Sequence, residues 1–169
     1  MAERKTVWRF IFVWNYEKEE RWLNEMAMNG WALVSVVWFR YTFETCEPGE
    51  YIVRLEMNND PSYETFIEET GAEVVGRFLQ WRYFRRKAEM GPFDLFSDID
   101  SKVAHLKKIG TLLFSLGMVN LVVGMINSFL PHNHHVAWMN LLCCTVLMYG
   151  LGRIHGKKEE LEKDRLLHE

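Results

Sequence analysis

The sequence predicts an α+β chain in two parts: a ferredoxin-like β-α-β-β-α-β domain at residues 1–96, and a two-helix transmembrane hairpin after it. Three observations lead to this prediction. Strand and helix patterns alternate through the first part, two long uncharged stretches follow, and basic residues flank the pair of stretches at its outer ends only. The length of 169 residues and the hydrophobic fraction of 49% are typical of a folded chain and exclude a disordered or collagen-like one.

The first strand is predicted at residues 7–14, where β-branched and aromatic residues predominate. A helix is predicted next, because Asn15 is a suitable N-cap and several glutamates occupy the first turn. Trp22 and Leu23 belong to the apolar side of this helix, and Gly30 is a natural end for it.

Proline and glycine residues mark the remaining boundaries of the domain. Pro48 and Gly49 have the chemistry of a tight turn, and Asp60 with Pro61 has that of a helix start. The predicted elements are a long strand at 31–45, a strand at 50–57, a helix at about 60–70 and a last strand at 73–87. We expect a four-stranded antiparallel sheet with both helices on one face, and we recognise no internal repeat.

Two uncharged stretches follow the domain. Residues 109–130 are 22 consecutive positions without a formal charge, and a helix of that length spans roughly 33 Å, enough for a bilayer core of about 30 Å. Residues 136–152 form a second stretch of 17 residues, at the lower limit for a span. A buried helical hairpin of a soluble protein is the alternative, and the length of the first stretch favours a membrane. The other segments are a juxtamembrane linker helix at 97–108 with Ser97 and Asp100 as capping pair, an external loop at 131–135, and a charged cytosolic tail at 153–169.

Basic residues predict the orientation of the hairpin. By the positive-inside rule both termini and the α+β domain face the cytoplasm, and the spans lie in the plasma membrane. The three cysteines, Cys46, Cys143 and Cys144, form no disulfide framework, which suits a reducing compartment. The flanking basic residues are Lys102, Lys107 and Lys108 before the first stretch, and Arg153, Lys157 and Lys158 after the second.

Several short motifs in the first part of the chain together resemble those of a known protein family. They read WLNEMA at 22–27, GW at 30–31, YTF at 41–43, EPGEY at 47–51, YFR at 83–85, and FDLFSD at 93–98 followed by SK at 101–102. Over about residues 5–105 the chain resembles the bacterial family catalogued as domain of unknown function 2812. The resemblance implies a small cytosolic domain that is commonly followed by membrane spans and often encoded beside a PadR-like transcriptional repressor. It implies no catalytic residues.

The domain lacks the side chains of most catalytic centres. All six histidines occur at His105 or later and Cys46 is its one cysteine, so a Cys-His or Ser-His-Asp arrangement or an ordinary zinc site cannot form there. No glycine-rich phosphate loop is present. We therefore expect no enzyme, no cofactor and no metal site. Six helix glutamates are interpreted as solvated: Glu17, Glu19, Glu20, Glu64, Glu68 and Glu69. Whether His132, His134 and His135 of the external loop bind a metal stays open.

An open, aromatic sheet face is the predicted partner-binding surface. The strand at 31–45 carries apolar side chains on both faces, whereas helices cover only one face of a two-layer fold. Trp38, Arg40 and Thr42 share one face of this strand, and Trp81 of the last strand is added as a candidate. A protein partner, a ligand or a second copy of the chain could cover this face.

The last strand alternates basic and aromatic residues at 80–87, a mixture that suits RNA or anionic lipid. The glycine-aromatic pattern of RNA-binding sheets is absent from the strand at 50–57, and the net charge is −3. We therefore expect no nucleic-acid partner, and the basic residues are interpreted as facing an anionic membrane surface.

Small and polar residues recur along both uncharged stretches at spacings of three and four. Such residues let helices approach closely and form interhelical hydrogen bonds, so packing of the hairpin on itself is preferred over a polar transport path. The predicted helix-packing residues are Gly117, Asn120, Gly124, Asn127, Asn140, Cys143 and Gly150.

The expected function is that of a membrane-tethered cytosolic interaction or sensing module, non-enzymatic and regulatory, with a protein partner or a homo-oligomer. The alternative is a small oligomeric membrane-active protein, such as an export component or a pore-forming effector. In that alternative, Asn120, Asn127 and Asn140 would line a path through the membrane.

Overall fold

The computed structural model describes residues 3–96, 98–130 and 133–168, with side chains up to residue 165. It divides into two compact units, Met1–Ser97 and Asp98–Glu169. The first unit is the α+β part of the chain, and the second is a pair of long helices.

The α+β unit contains six strands and two α-helices. Short 3-10 turns at Val13–Asn15 and Ala88–Met90 precede the first helix and follow the last strand. The elements are β1 (Arg4–Trp8), α1 (Tyr16–Met28), β2 (Trp31–Val37), β3 (Arg40–Thr45), β4 (Tyr51–Met57), α2 (Pro61–Glu69), β5 (Glu73–Phe78) and β6 (Trp81–Lys87).

All six strands form one mixed sheet in the order β1-β3-β2-β5-β6-β4. Neighbouring strands are antiparallel except the central pair, β2 and β5, which is parallel. The α+β class is confirmed, but this sheet is not the four-stranded antiparallel sheet of the predicted ferredoxin-like domain.

The difference arises because two of the predicted long strands are hairpins. The stretch 31–45 turns back at Trp38 and Phe39, and the stretch 73–87 turns back at Leu79 and Gln80. Both turns contain a non-glycine residue with positive φ, 56° at Trp38 and 52° at Leu79. Bulky residues rarely adopt this conformation, so the local sequence gives no turn signal.

The unit consists of two βαββ halves that repeat the same arrangement, β1-α1-β2-β3 and β4-α2-β5-β6. In each half the first strand pairs antiparallel with the third. Gly30 and Gly71, each with positive φ after a helix, lie 41 residues apart, as do Trp38 and Leu79 in the two hairpin turns. The structure therefore contains an internal repeat that the sequence does not reveal.

The two helices pack against opposite faces of the sheet, not on one face as predicted. Adjacent side chains of a strand point to opposite faces. In β6, Tyr83 contacts Glu19 of α1, whereas Phe84 packs in a buried cluster with Ile67 of α2. Both faces of β6 are therefore covered by helices.

Polar side chains of α1 cover the free edge of β4. The Asn24 amide donates to the carbonyl oxygen of Val53 over 3.0 Å and accepts from its N–H over 2.9 Å. Glu20 accepts a hydrogen bond from the N–H of Leu55 over 3.0 Å. These contacts satisfy backbone groups that would otherwise be open to pairing with another strand, and they fix α1 on the sheet.

The second unit is made of α3 (Ile99–Phe129) and α4 (His134–His168). Asp98 caps α3 by accepting a hydrogen bond from the Ser101 N–H over 2.7 Å, and Ser101 completes the capping box. The predicted capping pair is thus displaced by one residue, and Ser97 itself lies outside the described residues. Both helices are long and apolar enough to cross a membrane.

Candidate ligand-binding site

Glu19 is a buried carboxylate on the apolar side of α1. It lies one turn before Leu23 and two turns before Ala27, which are both buried, and only 7% of its surface is exposed. Our interpretation of Glu19 as a solvated glutamate is therefore wrong. Its i, i+4, i+8 spacing with Leu23 and Ala27 was the available sequence signal, since these positions share one face of a helix.

Two tyrosines, one from each βαββ half, donate hydrogen bonds to the same oxygen of Glu19. The hydroxyl of Tyr41 in β3 lies 2.6 Å from Oε1, and the hydroxyl of Tyr83 in β6 lies 2.7 Å from it. Among the residues that the structure describes, none donates a hydrogen bond to Oε2. The second carboxylate oxygen is therefore free to accept one from a bound group.

The surroundings of Glu19 affect its proton affinity in opposite directions. Burial raises its pKa above the ordinary value, and the two tyrosine hydrogen bonds and the charge of Arg9 partly oppose that rise. Burial, followed by the nearby Glu19 charge, raises the pKa of both Tyr41 and Tyr83. The tyrosines therefore remain protonated donors at neutral pH.

Glu19 lines a small aromatic cavity at the start of α1. The cavity encloses about 30 Å³, and seven of its ten lining residues are aromatic whereas Glu19 is the one charged residue. That volume accommodates a group the size of one or two water molecules. The aromatic lining residues are Tyr16, Trp38, Phe39, Tyr41, Phe78, Trp81 and Tyr83.

Exposed apolar side chains lie next to this cavity. Phe10, in the segment between β1 and α1, lies with its ring centre 4.8 Å from that of the cavity residue Phe39. Trp38 and Leu79 are 66% and 78% exposed, and their turns lie at the same end of the sheet because β2 and β5 are parallel. We call Phe10, Trp38 and Leu79 the apolar rim.

The four predicted partner-binding residues do not form one surface. Trp38 and Trp81 both line the cavity. Arg40 and Thr42 alternate with Tyr41, which faces α1, so they lie on the opposite face of β3, where Arg40 is exposed and Thr42 half-buried. The structure thus brings two of the four residues together, in a cavity and not on a flat sheet face.

The basic side chains of β6 have partners within the unit. Arg82 forms an ion pair with Glu64, and Arg85 donates to Glu73 over 3.0 Å. Arg86 donates to the carbonyl oxygen of Pro92 over 2.6 Å. These contacts give the arginines of β6 a structural role in the sheet.

The glycines of α3 lie against α4. A Cβ atom on Gly124 would lie 3.2 Å from the Cβ atom of Asn140, and one on Gly117 would be 3.7 Å from Leu147. Gly150 of α4 is buried, whereas Cys143, another predicted packing residue, is exposed. Close approach of the two helices thus depends on the α3 glycines.

The span asparagines make local hydrogen bonds and not the expected interhelical ones. The Asn120 amide donates to the Leu116 carbonyl over 2.8 Å, and the Asn140 amide donates to the Val136 carbonyl over 2.9 Å. Asn127 accepts from Asn133 in the loop over 3.2 Å. Each donated bond satisfies one amide proton within its own helix.

The histidine cluster of the loop falls partly outside the described residues, which exclude His132. His134 and His135 are exposed at the start of α4. In the described parts of the chain, no three His, Cys, Asp or Glu side chains lie close enough to hold a metal ion.

The chain thus combines an α+β unit that holds a buried carboxylate in an aromatic cavity with two helices able to cross a membrane. The profile of the family described as "Protein of unknown function (DUF2812)" matches residues 15–118, and the chain belongs to that family. The match includes α1 with Glu19, the whole second half of the sheet and the first part of α3. No curated protein and no solved structure matches the chain.

Proposed function

We propose that this protein is a membrane-tethered sensing module whose α+β unit binds a small ligand in the cavity at Glu19. The observation that carries the proposal is the carboxylate itself, 7% exposed and hydrogen-bonded through one oxygen only. Burying a carboxylate is costly, and an apolar residue at this position would stabilise the fold better. A buried, half-satisfied titratable group in a cavity is typical of a binding site.

The membrane tether is supported by the surfaces of the two long helices. In their most apolar segments only 28% and 11% of the residues are buried within the chain. The core helices of a soluble protein would be mostly buried, whereas the lipid-facing sides of a transmembrane pair remain exposed when the protein is considered without its bilayer. The lysines in the first turns of α3 and the basic residues in the second half of α4 support a cytoplasmic position for the α+β unit.

Binding, and not catalysis, is the function that the cavity side chains support. Tyr41 and Tyr83 have raised pKa values and donate to Glu19, so neither is available as a base or a nucleophile. The role of the pair is to hold the carboxylate of Glu19 in a fixed orientation. Among the described residues of the second unit, Asn120 and Asn140 each use one amide proton on a carbonyl of their own helix, which gives the alternative of a pore no specific support.

A fragment screen on the full chain in lipid nanodiscs tests the proposal. The library should contain aromatic amines, alcohols and carboxylates, with binding detected by saturation-transfer NMR. We expect one or more fragments to bind the wild type and to lose at least about tenfold in affinity with Val13→Trp, which fills the cavity. Met28→Trp adds the same ring at an exposed position at the other end of α1 and should bind normally.

Absence of fragment binding to the wild type would overturn the proposal. Equal binding to the wild type and to Val13→Trp would also overturn it, since the fragments would then bind elsewhere. Near-UV circular dichroism of both variants establishes that their tertiary structure is preserved.

A further inference from the structure

The free oxygen of Glu19 defines what chemistry the cavity can recognise. Both tyrosine hydroxyls donate to Oε1, which leaves Oε2 as an acceptor with no donor among the described residues. Because the hydroxyl protons are used on Oε1, Tyr41 and Tyr83 present only oxygen lone pairs to a further ligand. A ligand that contacts these oxygen atoms must therefore supply a hydrogen-bond donor.

Arg9 is the cationic side chain whose charge acts on Glu19, but it does not contact the carboxylate. Arg9 lies with its guanidinium carbon 4.5 Å from the ring centre of Trp22, and its side chain is exposed. Its charge acts on Glu19 from a distance and favours the ionised carboxylate, but it makes no hydrogen bond to Glu19. A cation in contact with Oε2 would favour the ionised carboxylate, because an opposite charge offsets the cost of its burial.

The size of the enclosed space restricts the head group. A volume of about 30 Å³ accommodates a primary ammonium, which is similar in size to a water molecule. A trimethylammonium head is several times larger and would displace the aromatic walls. The aromatic residues Trp38, Phe39 and Trp81 line the same space, and an aromatic ring attracts a cation placed over its face.

The apolar rim gives a place for the rest of the ligand. Trp38 belongs both to the cavity lining and to the rim, so a molecule whose head reaches Glu19 passes directly over exposed apolar surface. An aromatic or aliphatic body would bury this surface and remove it from water.

We propose that the ligand is a primary amine with an apolar or aromatic body, its ammonium group hydrogen-bonded to Oε2 of Glu19 and its body lying along the apolar rim. This inference rests on the proposed function and specifies the ligand class of the same site. Glu19 is then the residue that determines specificity for charge, and the small volume of the cavity determines specificity for the size of the head group.

The test compares four probes that share one phenyl body. They are 2-phenylethylammonium, its N-trimethyl derivative, neutral 2-phenylethanol and anionic 3-phenylpropionate. Affinities are measured by isothermal titration calorimetry on the full chain in nanodiscs, with empty nanodiscs as the blank for partition into lipid. We expect 2-phenylethylammonium to bind at least about tenfold more tightly than each of the other three, as a charge-assisted hydrogen bond requires.

Two variants assign the binding to Glu19. Glu19→Gln should weaken 2-phenylethylammonium binding by about tenfold or more and leave 2-phenylethanol unchanged. Glu25→Gln removes one negative charge from an exposed position of the same helix and should leave both affinities unchanged. The ranking of the four probes on the wild type tests the proposal even where Glu19→Gln does not fold.

Equal or tighter binding of the alcohol, the trimethyl compound or the anion would overturn the primary-amine assignment. If Val13→Trp weakened the binding of that probe, the result would still support a ligand-binding cavity. Retention of ammonium binding by Glu19→Gln would likewise overturn it. Failure of all four probes, together with failure of every fragment in the screen, would overturn both the ligand class and the proposed function.

Discussion

Glu19 occupies a helix position where the spacing of buried neighbours favours a hydrophobic side chain. Leu23 and Ala27 continue the same stripe and are almost completely buried. The hydroxyls of Tyr41 and Tyr83 recover part of the lost hydration of the carboxylate, but the pKa of Glu19 remains raised, so the folded unit disfavours the ionised form. A residue that reduces stability and faces a cavity is typical of a functional site.

We expect Glu19→Gln to raise the free energy of unfolding at neutral pH, by on the order of 1 kcal/mol, a common gain for one stabilising substitution. The amide has the shape of the carboxylate, and its oxygen still accepts from both tyrosine hydroxyls. The measurement is urea unfolding of the full chain in detergent, followed by near-UV circular dichroism, with Glu25→Gln as the control of equal charge change.

The pH dependence of this gain has a definite sign. A carboxylate whose pKa is raised in the folded state contributes most to stability below its ordinary pKa of 4.5, and this contribution is lost as pH rises through the folded pKa. The advantage of Gln should therefore be small in acid and grow toward neutral pH. The charged and titratable groups that act on Glu19 are Arg9, Tyr41 and Tyr83, and the pKa values of both tyrosines are raised, so neither tyrosine titrates in that range. A variant less stable than the wild type at neutral pH would mean that the carboxylate is structural.

At the scale of elements, the sequence predicts both α-helices of the first unit and the strand at 50–57, but it places the first strand at 7–14 where the structure has it at Arg4–Trp8, and it misses the two hairpins. Two-residue turns with positive φ normally contain Gly, Asn or Asp, whereas this chain has Trp38-Phe39 and Leu79-Gln80 there. Packing overrides the local preference in the first turn, where the Trp38 ring centre lies 5.7 Å from that of Phe78 in the second hairpin. Such a contact joins residues 40 positions apart, so local sequence patterns do not contain it.

The repeat was hidden for a related reason. Most equivalent positions in the two halves share backbone geometry and not residue type, as at Trp38 and Leu79. The few identical pairs include the glycine after each helix and the buried Phe43 and Phe84, too few to reveal a repeat. The cavity combines residues from both halves, with Tyr41 from the first and Tyr83 from the second. Its composition could therefore be known only once the strand order was known, although Trp38 and Trp81 were selected from the sequence as candidates.

The packing of α3 on α4 gives a prediction at the same scale. A leucine at position 124 would drive its side chain into Asn140 and Leu141, because even a Cβ atom there lies 3.2 Å from each. We expect Gly124→Leu to weaken the helix pair by about 1–3 kcal/mol, the usual cost of overpacking. The measurement is unfolding by sodium dodecyl sulfate in mixed micelles, followed by circular dichroism.

The matched substitution is Asn120→Leu, one turn earlier on the same helix. Its amide donates to the Leu116 carbonyl of its own helix, so we expect the unfolding midpoint to change little. A large loss of stability with Asn120→Leu, together with a tolerated Gly124→Leu, would show that the asparagines and not the glycines hold the helices together.

At the scale of the whole molecule, the two apolar helices were the features that the sequence predicted most directly. An uninterrupted apolar stretch is recognisable without any knowledge of tertiary contacts, and both such stretches lie in helices long enough to span a membrane. The division into an α+β unit and a helical unit follows the same change in composition. Orientation depends on the flanking charges, which act during insertion and leave no trace in the packing, so it stays a prediction.

Reporter fusions in a bacterial host test this orientation. Green fluorescent protein joined after Glu169 should fluoresce, and alkaline phosphatase at the same position should be inactive, because the basic residues in the first turns of α3 and in the second half of α4 keep both ends in the cytoplasm. Alkaline phosphatase joined after Asn133, between the two helices, should be active. The opposite pattern, with an active phosphatase after Glu169 and an inactive one after Asn133, would place the Glu19 cavity outside the cell. The ligand would then have to be an extracellular amine and not a cytoplasmic one.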